Sequence, residues 1–211
     1  MKRIFSVLMV CAIMCSLIVG CGNQQETTVP TTAPQPTQTV APTTQPTTEP
    51  TEPTQPEGTD SALAVLETVW NLFAEDEKFW VVGGGYNNMV DNAPGAVEMT
   101  DTDFLTYSLL IPETQMSSVT EAASMMHAMN ANNFTCGVYK VEDINAFADA
   151  MRDVILNNQW ICGMPELLKI ADLGNGYVIV AFGIGDAMNP FFQNVAAAYP
   201  EATMLAEETI A

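Results

Sequence analysis

The chain has 211 residues, with 25 acidic side chains against six basic ones and a formal net charge of −19. A field of that sign repels phosphate, which excludes nucleic acid and an anionic lipid surface as partners. One histidine, and no Gly-x-Ser-x-Gly or Ser-x-x-Lys string, leaves little for a base-activated nucleophile.

Residues 1–20 read as a secretory signal. Lys2 and Arg3 form a positive head, and Ile4 to Gly20 run almost without polarity, broken only by Ser6 and Ser16. The stretch sits near the lower limit for a membrane-spanning helix. It ends at Leu17-Ile18-Val19-Gly20-Cys21, which resembles the lipobox of bacterial lipoproteins. Ile18 stands at minus three, the small Gly20 at minus one, and Cys21 at the obligatory position. The resemblance implies a diacylglycerol on the Cys21 thiol and cleavage before it, so that the bilayer becomes a partner through acylated Cys21. An ordinary cleaved signal and an uncleaved anchor are the alternatives. Two acyl chains anchor stably where one does not, at roughly 0.8 kcal/mol per buried methylene. Cleavage there leaves Lys78, Lys140, Arg152 and Lys169 against all 25 acidic residues, a net charge of −21.

Gly22 to Asp60 read as a tether. These 39 residues hold 13 threonines and 8 prolines and almost nothing apolar. Such a segment cannot offset its own ordering entropy, so it is expected to be disordered. Proline stiffens it toward polyproline II at about 3.1 Å per residue, a reach of roughly 120 Å. Threonines beside prolines make it either a plain spacer or a carrier of O-linked sugars.

Residues 61–211 are expected to form one α+β domain, long enough for a core without staples. Asp60 to Ala74 reads as a helix, with Leu63, Leu66, Val69, Trp70 and Phe73 on one face and Asp60 as its cap. Phe79 to Val82 is short and apolar and runs into Gly83-Gly84-Gly85. Phe104 to Ile111 reads as a strand whose start has helical character. Thr114 to Ala131, rich in alanine and methionine, reads as a helix with Val119, Ala122, Met126 and Met129 at helical spacing. Phe134 to Val141 is a strand and Val141 to Asn157 a helix. Glu166 to Leu173 and Tyr177 to Gly183 form a hairpin around Gly174-Asn175-Gly176. Asp186 to Tyr199 is a helix capped by Asp186, and Ala202 to Glu208 is the last strand. The order contains two strand–helix–strand units. It predicts an antiparallel or mixed sheet with helices packed on it, in a ferredoxin-like βαββαβ order with an inserted helix.

Two runs carry a further likeness. They are Met125-Met126-His127-Ala128-Met129-Asn130-Ala131-Asn132-Asn133-Phe134-Thr135 and Asn157-Asn158-Gln159-Trp160-Ile161-Cys162-Gly163-Met164-Pro165. With Val90-Asp91-Asn92-Ala93-Pro94-Gly95, they resemble a family of lipoproteins from Gram-positive gut anaerobes that carries no assigned activity. The resemblance implies a surface address and supplies no catalytic residue.

Candidate chemistry is thin, and no catalytic residue, metal ligand or cofactor is expected. His127 could pair with Cys136 or Cys162 as base and thiol, but it lies in a predicted helix. Cys136 and Cys162 are the possible disulfide of the domain, permitted by export; buried free thiols are the alternative. Met125, Met126 and Met129 crowd His127, a set that suits copper(I), although core packing explains methionines at helical spacing more simply. Asp91, Asp101 and Asp103 lack the spacing of a calcium loop, and the glycine run has no lysine that would mark a phosphate loop. Phe79, Trp80, Tyr86 and Trp160 are the possible ligand contacts, with core anchoring as the alternative. The expected function is a non-catalytic, extracytoplasmic binding or interaction module, held to the cell membrane by lipid. Its partner would be an envelope protein or a small ligand. The alternative is an envelope hydrolase that uses carboxylates such as Asp91 with Asp101 or Asp103.

Overall fold

The computed structural model describes residues 61–211; the signal segment, Cys21 and the tether lie outside the described residues. The chain starts with α1 (Ala62–Trp70). Its cap is Ser61 rather than Asp60: the Ser61 Oγ accepts the Ala64 N–H at 3.0 Å. Three short strands follow, β1 (Val81–Gly83), β2 (Val90–Asp91) and β3 (Gly95–Val97). Phe104–Ser108 form a π-helical turn and Glu113–Met116 a single helical turn, α2. Then come β4 (Val119–His127), β5 (Phe134–Val141), α3 (Ile144–Leu156), β6 (Leu167–Gly174), β7 (Tyr177–Gly183), α4 (Gly185–Ala198) and β8 (Thr203–Thr209).

The strands make one open, antiparallel, eight-stranded sheet in the order β2-β1-β4-β5-β7-β6-β8. β3 also pairs with β4, in line with β1 on the same edge: β1 takes Met125 to His127 and β3 takes Ala122 to Ser124. The domain is therefore α+β, as expected, but the ferredoxin-like order is not confirmed. Its first unit required a strand at 104–111 and a helix at 114–131. The structure has a π-helical turn in the first stretch and strand β4 through most of the second. The second expected unit is present: β7 and β8 flank β6, both antiparallel to it, and α4 connects them.

Both faces of the sheet are covered, and strand alternation decides which side chain goes where. On β7, Tyr177, Ile179 and Ala181 enter a core with α1 and α4, where Leu66, Val69, Met188 and Phe191 are buried. Val178, Val180 and Phe182 enter a second core with α3 and the π-helical turn, built on Phe104, Leu105, Phe147, Met151 and Ile155. A strand covered on both faces reads as a continuous apolar run, which is why Tyr177 to Ile184 lacks a period in the sequence.

Two local devices shape the sheet. A Cβ on Gly83 would collide with the backbone nitrogen of Gly95. Gly83 therefore serves a close crossing of two backbones. On β5, the Tyr139 ring lies over Gly137, occupying the space that a side chain there would need.

Candidate functional site

One end of the sheet collects the features that packing does not explain. Here β4 ends, β5 and β6 begin, and α3 hands over to β6 through residues 157–166. The loop is tied down by amides. Asn132 Nδ2 donates to the Ile161 and Gly163 carbonyls at 2.8 and 2.7 Å, and Asn130 Nδ2 donates to the Cys162 carbonyl at 3.0 Å. With its carbonyls held inward, the loop turns its side chains out: Ile161 is 78% exposed and Met164 53%. Met129, on the loop that supplies these amides, is 72% exposed. Apolar side chains gathered at this exposure mark contact surfaces more often than accidents of folding.

Beneath the loop lies a recess of about 360 Å³, within the range of roughly 300–1,000 Å³ usual for small-molecule sites. It is lined by Thr135 and Phe182 of the sheet, by Tyr107 and Leu110, and by Asn158 to Ile161. No charged residue lines it. Trp160 leans on Phe182 with ring centroids 5.1 Å apart. Its indole Nε1 is, among the described residues, the one buried side-chain nitrogen or oxygen without a hydrogen-bond partner.

Backbone strain falls at the same place. Four non-glycine residues among those described have a left-handed backbone: Asn92, Leu110, Cys162 and Asn175. Asparagine visits that region readily, whereas leucine and cysteine pay a steric cost there. Leu110 (φ 58°) lines the recess, and Cys162 (φ 65°) follows its lining residue Ile161. Strain held by residues that gain nothing locally is a recurrent mark of functional positions.

The four possible ligand contacts are split. Trp160 lines the recess. Tyr86 stands beside it: its hydroxyl lies 2.9 Å from the Oγ of Ser108, a lining residue, and its ring meets Phe104 edge-on. Phe79 and Trp80 face a different hollow of about 380 Å³ with Lys78 and Asn92. Phe79 is chiefly a core anchor, packed against Trp70, Phe134 and His127 at 5.5, 5.2 and 5.9 Å. Sequence reasoning missed Tyr107, Leu110, Asn158 and Gln159. Of these, only Asn158-Gln159 carried a signal, as two amides beside a tryptophan with no helical role.

Other candidates resolve into structural duties. Cys136 and Cys162 are free thiols rather than a disulfide. Alternation on β5 sends Cys136 into the core under α1 and α4, while the Cys162 loop leaves the helix on the opposite face. Burial pushes the Cys136 thiol well above its ordinary value. His127 lies at the end of β4, not in a helix, and its Nδ1 accepts the Met129 and Asn130 N–H groups at 3.1 and 3.4 Å. Met125 and Met126 are neighbours on a strand, so they face opposite cores and cannot share a metal. Among the described residues no three His, Cys, Asp or Glu side chains converge as metal ligands. Asp101 is buried, and its two oxygens accept the Tyr86 and Phe104 N–H groups at 2.7 and 3.2 Å. Asp91 is exposed on β2.

No family model, curated protein or solved structure matches the chain.

Proposed function

We propose that the protein is a bacterial lipoprotein, cut before Cys21 and held to the outer face of the cell membrane by lipid on that cysteine. Its 61–211 domain is a non-catalytic binding module of the envelope, displayed on the threonine–proline tether. The resemblance to lipoproteins of Gram-positive gut anaerobes belongs to the same proposal. The observation that carries the binding half is the strained, uncharged recess under the 157–166 loop. Enzymes that hydrolyse glycosides need two carboxyl groups at a set separation, and this recess holds none.

The proposal is tested with full-length protein in detergent, mixed with cell-wall fragments and sedimented. The expected result is that the wild-type protein sediments with the fragments and that an Ile161→Asp, Met164→Asp double variant loses at least about tenfold in retention, as expected when a charge enters an apolar contact. Equal retention of the two, or none for either, contradicts the binding reading. Cleavage of any cell-wall glycan by the purified protein contradicts the non-catalytic part.

A further inference from the structure

We propose that the recess under the 157–166 loop takes a short, uncharged saccharide. The inference rests on the binding-module reading and names the chemistry of its ligand.

Charge comes first. The chain carries 25 acidic residues, yet none lines the recess, and neither does any basic one. A bound cation would find no carboxylate there. A bound anion would find no partner either, because every basic side chain of the domain is already engaged. Lys78 pairs with Glu75 at 2.6 Å, Arg152 with Glu208 at 2.7 Å and Lys169 with Glu207 at 2.9 Å. Lys140 stands 5.0 Å from the Tyr177 ring centre. The ligand is therefore neutral.

Hydrogen bonding comes second. The side-chain amides of Asn158 and Gln159 line the recess and make no hydrogen bond within the described protein. Each amide offers donors and an acceptor together, which suits hydroxyl groups that do the same. A purely apolar ligand would cover these two amides and leave them unmet at a cost.

Shape comes third. Tyr107, which is 73% exposed, and Trp160 both line the recess. Flat aromatic surfaces beside amides match a molecule with apolar C–H faces and a hydroxyl-bearing rim, the amphipathic build of a sugar ring. The volume of about 360 Å³ is small for an extended polymer and sufficient for a short one.

Ligand-detected NMR with full-length protein in detergent tests this. The probes are N,N′-diacetylchitobiose and maltose as neutral saccharides, digalacturonate as an anionic one, and a capped Gly-Ser-Gly peptide. The expected result is saturable binding of a neutral saccharide with a Kd below about 10 mM, with none for digalacturonate. An Asn158→Ala, Gln159→Ala double variant, altered only at partly or fully exposed side chains, should bind at least about tenfold more weakly with an unchanged melting temperature. Trp160→Leu should do the same if it folds; the amide variant decides the matter if it does not. Unaltered binding in the amide variant, or no saccharide binding, overturns the proposal. Binding of the capped peptide alone overturns the saccharide class. Retention on cell-wall fragments that survives either failure leaves the broader binding reading standing.

Discussion

Cys136 and Cys162 are the same residue type in opposite circumstances. Cys136 is fully buried and burial raises its pKa, so its reactive thiolate is scarce near neutral pH. Cys162 is exposed on a strained loop. A maleimide added to the native domain should therefore label Cys162 alone, and after denaturation without reductant it should label both. Recovery of fewer than two thiols after denaturation would mean that the pair is bridged. The sequence left these alternatives open because their resolution depends on which face of β5 each cysteine meets, and one-residue register is not written in composition. The same limit governed the aromatics. Phe79, Trp80, Tyr86 and Trp160 were legible as large apolar side chains. That Trp160 lines a recess while Phe79 stacks in a core follows only from where their loops land.

At the scale of elements, local signals succeeded where they were strong. The Gly174-Asn175-Gly176 turn lies between β6 and β7, and its three left-handed residues are two glycines and an asparagine. α3 is capped by Asp143, whose carboxylate accepts the Ala146 N–H at 3.0 Å. β4 failed because alanine, methionine and glutamate favour helix, and Val119, Ala122 and Met126 happen to fall at helical spacing. Tertiary pairing overrides that preference: β4 lies between β5 and the β1/β3 edge, with its side chains divided between two cores. α4 shows a subtler miss. Its start is capped from a distance, Glu166 Oε2 accepting the Gly185 N–H at 2.8 Å, while Asp186 sits inside the first turn. The 157–166 loop depends most on Asn132, whose amide holds two carbonyls. Asn132→Ala should therefore speed amide hydrogen exchange in residues 157–166 by about tenfold or more, with little change in melting temperature. Unchanged exchange there would mean that the loop is held by other contacts.

At the scale of the whole molecule, stability lies in the 61–211 domain, whereas the proposed address rests on Cys21. The sheet keeps two protonated groups inside, Cys136 and Tyr139, each raised by burial above ordinary values of 9.0 and 10.0. Above pH 9 the unfolded chain releases these protons while the native one retains them, so unfolding becomes easier as pH rises. The stability that these groups contribute is fully present below pH 9, and the melting temperature should fall as pH climbs from about 9 to 11. A flat profile over that range would show that neither group is as sealed as its burial implies. The fold class was legible in the alternation of strand and helix signals. The recess was not, since it joins Tyr107 and Leu110, Asn132 and Thr135, the 158–161 stretch and Phe182 from across the chain.

Intact-mass spectrometry of the protein extracted from its native membrane tests the address on which the proposed function depends. The expected mass is that of a chain beginning at Cys21 and carrying a diacylglycerol, with Cys21→Ser appearing unlipidated and released from the membrane fraction. A mature chain that retains residues 1–20, or begins elsewhere with an unmodified Cys21, would contradict it.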